Sequence, residues 1–163
     1  MKKLVTCLLA SVSIGAVAQT PKWNITEVTS VVGYIYNTYA VGTQIGAKTE
    51  KVTAGLRLAC SVKSPEEPAL ILFWNGQMIA SPTQTVMVSI DGKPLSTNTW
   101  FQEDHILHRS ATKAKNIIDA MKIAHTVEFA WTGNDTVRYK VIFDVLGFNT
   151  KLDEFNASCK TQL

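Results

Sequence analysis

Cysteine is scarce in this sequence, and the motifs that usually announce chemistry are absent. Only three cysteines occur in 163 residues, and one of them, Cys7, lies in the first twenty. There is no GxSxG, no HExxH and no glycine-rich phosphate loop, so a nucleophile-elbow hydrolase, a zincin or a P-loop protein has no signature here. After the first twenty residues no apolar run is long enough to cross a bilayer. No basic stripe exists that would follow a nucleic-acid backbone or an anionic membrane, so neither is expected as a partner.

The start of the chain, MKKLVTCLLASVSIGAVAQT, explains part of the apparent charge. Lys2 and Lys3 form a positive region, Leu4 to Ile14 a short apolar stretch, and Ala16-Val17-Ala18 a run of small residues. This is the pattern of a secretory signal peptide over residues 1–18, with cleavage expected before Gln19. The expected mature chain, 19–163, carries 14 Lys and Arg against 13 Asp and Glu, a net charge of +1. It has the size of one domain, able to bury a core without a metal or many disulfides. Cys60 and Cys159 remain as a single pair in an exported chain, where oxidation is the default. Their bond would close a loop of about 100 residues, contributing about 4.7 kcal/mol in the chain-entropy treatment.

The mature chain reads mostly as strands. WNITEV (23–28) and GYIYNTYAV (33–41) open it. In GLRLACSV (55–62), Leu56, Leu58, Cys60 and Val62 share one face, which points the cysteine inward. KSPEEP (63–68) breaks the pattern, and ALILFWNG (69–76) is a continuous apolar run expected to be buried on both faces. TVMVSIDG (85–92) alternates Val86, Val88 and Ile90 and ends in Asp91-Gly92, a turn signal. HTVEFAWTGND (125–135) and TVRYKVIFDV (136–145) form a hairpin around TGND.

Two helices interrupt the strands. Over about 110–123, Ala114, Ile117, Ile118 and Met121 fall at helical spacing, with Ser110 as a candidate cap. Over about 150–159, Leu152, Phe155 and Cys159 share a face and Thr150 is the candidate cap, with Asp153 three residues on. That face would carry Cys159 toward the inward-facing Cys60. The expected fold is mainly β: an antiparallel sandwich-like or strongly bent sheet with these two helices.

WFQEDHILHRSA (100–111) is the stretch that most resembles a site. His105 and His108 stand three apart, behind Glu103 and Asp104 and before Arg109. Zinc would need a third ligand, which one of the acids could supply. The plainer reading is a solvated connector, with acids favoured near the positive end of the following helix. Most aromatics, Trp23, Trp74, Trp100, Phe101 and Trp131 among them, are expected in the core. Tyr34, Tyr36 and Tyr39 lie beside GTQIGAK (42–48) and are candidates for a partner-binding edge or loop. NIT (24–26), NDT (134–136) and NAS (156–158) match the glycosylation pattern, but the short Lys-Lys leader looks bacterial and they are read as chance.

LRLAC, ALILFWNG, VMVSIDGKP with Trp100 soon after, ATKAKNIIDAMK, VEFAW and VIFDVLGFNTKLDEFNASC together span residues 55 to 160. In this order they resemble a group of small exported bacterial proteins. These include the C-terminal domain of the type VI secretion-associated VasI family and, more distantly, invasion-associated locus B proteins. The matching positions, Cys60, Asp91, Gly92, Gly147, Phe148 and Cys159, are structural. The resemblance implies a periplasmic or secreted, non-catalytic accessory protein without a cofactor. It would bind an envelope or secretion-system protein and have no stable membrane insertion after leader removal. The alternative class is a small metal-dependent or hydrolytic enzyme using the 103–109 polar cluster.

Overall fold

A computed structural model describes residues 24–27, 32–45, 51–61, 67–74, 81–132 and 138–163. Of residues 24–27, 32–45, 51–53 and 61 it describes the backbone alone. The leader expected at 1–18 lies outside the described residues.

The elements are β1 (Asn24–Glu27), β2 (Val32–Ile45), β3 (Lys51–Ser61), β4 (Ala69–Trp74), β5 (Thr83–Ile90), β6 (Lys93–Glu103), β7 (Ile106–Ser110), α1 (Lys115–Met121), β8 (Thr126–Thr132), β9 (Arg138–Asp144) and α2 (Phe148–Cys159). All strand pairings are antiparallel, in the order β1-β2-β3-β4-β7-β6-β5-β8-β9. The mainly-β, antiparallel, strongly bent sheet expected from the sequence is present, and its bend runs to closure. The start of β9 returns to the end of β2, with Thr43 opposite Lys140 and Ile45 opposite Arg138. Eight strands therefore form a ring, and β1 lies along the first part of β2.

Alternation fills the ring. Leu56 and Leu58, Leu70 and Leu72, Val86 and Val88, Trp100, Leu107, Phe129, Val141 and Phe143 are all buried. Trp100 and Phe143 each meet Phe129 edge-to-face, at 5.6 and 6.0 Å between centroids. β4 corrects the reading of a strand buried on both faces. Its residues alternate between half-buried and buried, because the ring has only one interior. The ring tip of its outward Phe73 instead lies against Gly55 on β3, where any Cβ would collide with it, and the Arg57 guanidinium sits 5.0 Å from the ring centre.

Left-handed backbone shapes the turns at Asp91-Gly92 and Gly147, as it does those at Asp104 and Lys160. Ile90 opposes Lys93 across Asp91 (φ 47°) and Gly92 (φ 75°), the two-residue hairpin whose positive φ at both positions matches strand twist. Gly147 (φ 81°) starts α2. This corrects the expected cap: Thr150 is the third residue of the helix, inside its first turn, and no side chain caps it. α1 is likewise shorter than the expected 110–123. Ser110 does not cap it, because Ser110 pairs with Ala69 and Ala111 donates to the carbonyl of Pro68, so the backbone there belongs to the sheet. The apolar faces hold as expected: Ala114, Ile117, Ile118 and Met121 from the α1 segment are buried, and so are Phe148, Leu152, Phe155 and Cys159.

Both helices close the end of the ring at which β3 finishes. Cys60 and Cys159 are bonded there, 99 residues apart in sequence. Beyond Cys159, Lys160 turns left-handed and Thr161 donates back to the carbonyl of Asn156. The Asn156 Oδ1 accepts from the Thr161 hydroxyl and the Leu163 amide, folding the C-terminus onto α2. Cys60→Ser or Cys159→Ser is expected to lower stability by about 2–5 kcal/mol. The check is thermal unfolding with and without reductant: the parent melts lower when reduced, and the variants are indifferent to reductant.

Candidate functional site

The stretch read as a connector is a hairpin. β6 and β7 pair through Phe101–His108, Gln102–Leu107 and Glu103–Ile106, around a turn in which Asp104 has φ 49°. This corrects the solvated-loop reading of residues 100–111. Alternation from the buried Trp100 puts Phe101 outside, where it is 54 % exposed. The core placement expected for Phe101 is thus overturned.

The hairpin separates the two histidines. His108 points outward and stacks on Phe101, with centroids 5.7 Å apart and planes inclined by 27°. His105, in the turn, meets Trp74 edge-on at 6.3 Å, and its carbonyl accepts from the Trp74 amide. Its Nδ1 is buried without a partner. Glu103 and Asp104 are exposed. Among the described residues no group of three His, Cys, Asp or Glu is placed to hold a metal ion.

What the hairpin does build is a groove. Glu67, Pro68 and Ala69 at the start of β4, His108–Ser110 at the end of β7, Thr99 and Phe101 on β6, and Thr112 and Lys113 line an open cleft of about 660 Å³. The Phe101–His108 stack forms one wall. Arg109 braces the floor: its Nε donates to the carbonyl of Lys113 (2.9 Å) and its Nη1 to that of Thr99. The guanidinium thereby fixes the segment leading to α1 against β6. Charged side chains in the groove are Arg109 and Lys113, opposed by Glu67. A second, shallower depression of about 290 Å³ runs over Met87, Leu95 and Ala130 beside Glu128, which pairs with Lys140 at 2.6 Å.

The tyrosines named from sequence lie on β2. Tyr36 stands where that strand is paired on both sides, with Ile25 and with Leu58; Tyr34 opposes Glu27, and Tyr39 opposes Gly55. Their side chains fall outside the description. Sequence reasoning misses Thr99, Phe101 and Lys113 as groove residues and names Arg109 only within the 103–109 polar cluster. The available signal was the period of two from Ser96 to Trp100, which places Thr97, Thr99 and Phe101 together on the outer face.

Asp91 and Gly92 make the β5–β6 turn. The Asp91 Oδ1 accepts from the amides of His125 (3.0 Å) and Thr126 (2.8 Å) and from the Thr126 hydroxyl (3.2 Å). The Asp91 amide donates to the Thr126 carbonyl. The β5–β6 turn is thus clasped to the start of β8.

In comparisons with known proteins, no family model, no curated protein and no solved structure matches the chain.

The clasp makes a pH prediction. The Thr126 amide, above all, holds the Asp91 carboxyl below its usual 3.8. A carboxylate whose folded pKa is depressed stabilises the fold above the unfolded value and ceases to as pH falls through the folded one. The parent should therefore lose stability below about pH 4. Asp91→Asn should flatten that part of the profile while lowering stability at pH 7, as read by denaturant midpoints across pH 2.5–7.

Proposed function

We propose that this is an exported, non-catalytic binding protein of the bacterial envelope, and that it holds another protein in the groove beside the β6–β7 hairpin. The observation that carries the reading is Phe101: a large aromatic held outside the ring by strand alternation, stacked on His108 and bordering an open cleft. Rigid aromatic side chains next to a concavity are the usual anchors of protein interfaces, and they hold most of the binding energy.

Export is supported by the leader-like residues 1–18 and by the Cys60–Cys159 bond, which persists in oxidising compartments. Among the described residues no helix is long and apolar enough to cross a membrane. A secretion-system or other envelope protein as the partner follows from the resemblance to the VasI and locus B groups. The histidine pair enters this reading only through His108, as the support on which Phe101 lies.

The test uses the oxidised protein as bait in envelope extracts, followed by titration of the purified partner. Phe101→Ser is expected to weaken binding at least tenfold while leaving the melting temperature within a few degrees, because the side chain packs on the outer surface. His105→Ala should bind as the parent does. Equal affinity of the parent and Phe101→Ser would contradict the assignment of the groove.

A further inference from the structure

The ring has one place where a strand is missing a neighbour. β6 pairs with β5 along its length, from Lys93 to Phe101, but with β7 only from Phe101 to Glu103. β7 ends at Ser110 and the chain turns away toward α1. Among the described residues no strand covers the β7 side of β6 between Lys93 and Trp100.

Two details show which backbone groups are left open. In an antiparallel ladder alternate residues direct both N–H and C=O to the same side. Phe101 pairs with His108 on the open side, and the Thr99 carbonyl, two residues earlier, is taken there by the Arg109 guanidinium. Thr97, two residues earlier again, faces the same way and meets neither strand nor side chain among the described residues. The bare edge is short. At its far end Pro94 and the irregularity that leaves Leu95 unmatched, between the pairs Val88–Ser96 and Ser89–Pro94, blunt it in the manner of protected edges. Leu95 to Asn98 carries no charge and no proline. The Asn98 amide group is occupied with the Ser96 hydroxyl at 2.8 Å and does not screen the edge.

The charges beside this edge are mostly positive, three cations against the one acid of the groove, Glu67. Lys93 stands at one end; Arg109 and Lys113 stand at the other, where they line the groove with Thr99. Arg109 already fills, with a side chain, the position a neighbouring strand would occupy at Thr99.

We propose that the partner enters as an extended, acidic segment that adds to β6 as a strand over Leu95–Asn98, stopping where Arg109 occupies Thr99, with a carboxylate toward Lys113 and an apolar side chain against Phe101. Backbone pairing supplies affinity, and the groove selects the side chains. This rests on the groove-binding reading and specifies it.

The test uses a phage-displayed library of random linear dodecapeptides, selected on the immobilised oxidised protein and counter-selected on an unrelated β-domain. Enriched peptides should carry alternating β-branched or aromatic residues with Asp or Glu. The synthesised best binder should slow hydrogen exchange of the Thr97 amide at least tenfold. Lys113→Glu should weaken it at least tenfold. Thr97→Pro should abolish binding, and because the Thr97 amide faces away from β5 this variant is expected to fold. The exchange measurement on the parent stands whether or not it does. A binder lost on Phe101→Ser that leaves Thr97 exchange unchanged overturns strand addition and keeps the groove. A binder insensitive to Phe101→Ser, Lys113→Glu and Thr97→Pro alike overturns both. Enrichment of peptides without acids, or of none over the control domain, overturns the acidic-strand proposal.

Discussion

The bond between Cys60 and Cys159 ties the last residue of α2 to the end of β3, and the arrangement of the helix end of the ring follows from it. A twelve-residue helix with four buried side chains would dock weakly by itself; joined to the sheet it covers the ring's interior. Gly147 supplies the left-handed step that brings the chain from β9 into the helix, and Phe148 is buried directly after it. Asn156 then gathers the C-terminus, so that Leu163 packs on the core. Covalent closure, the glycine turn and the asparagine hub act on one element.

The binding groove is a consequence of how that ring is completed. β7 must leave the sheet after Ser110 so that Ile117, Ile118 and Met121 can reach the interior. Leaving early strips β6 of its neighbour. Arg109 takes up the Thr99 carbonyl that the departure exposes, and the cleft lies where the two strands part. The outward position of Phe101 comes from the same alternation that buries Trp100. Fold and site are therefore set by one departure in the chain path.

Most of the fold was legible because its signals are local. Period-two alternation in 55–61, 85–90 and 126–131 marks real strands, and the Asp91-Gly92 dipeptide gives its turn by backbone conformation alone. The inward Cys60 and the Leu152–Phe155–Cys159 face point at each other from residue pattern alone. The failures have physical causes. Polar residues at Ser96 and Asn98, on the inner side, leave β6 without the apolar alternation that marks a strand. Ser110 and Thr150 look like caps, but the first belongs to a ladder and the second lies behind a glycine start. His105 and His108 stand close enough in sequence to suggest a shared ligand site, and a hairpin sends them to different neighbours. Ring closure through β2 and β9 joins residues almost 100 apart, which no local pattern encodes.

Peptide mapping without reduction tests the covalent tie most directly. Protein produced in an oxidising compartment and digested with its thiols blocked should yield one cross-linked species containing Cys60 and Cys159, which separates into two peptides on reduction. Recovery of both cysteines as blocked free thiols would contradict the account of how α2 is held on the ring.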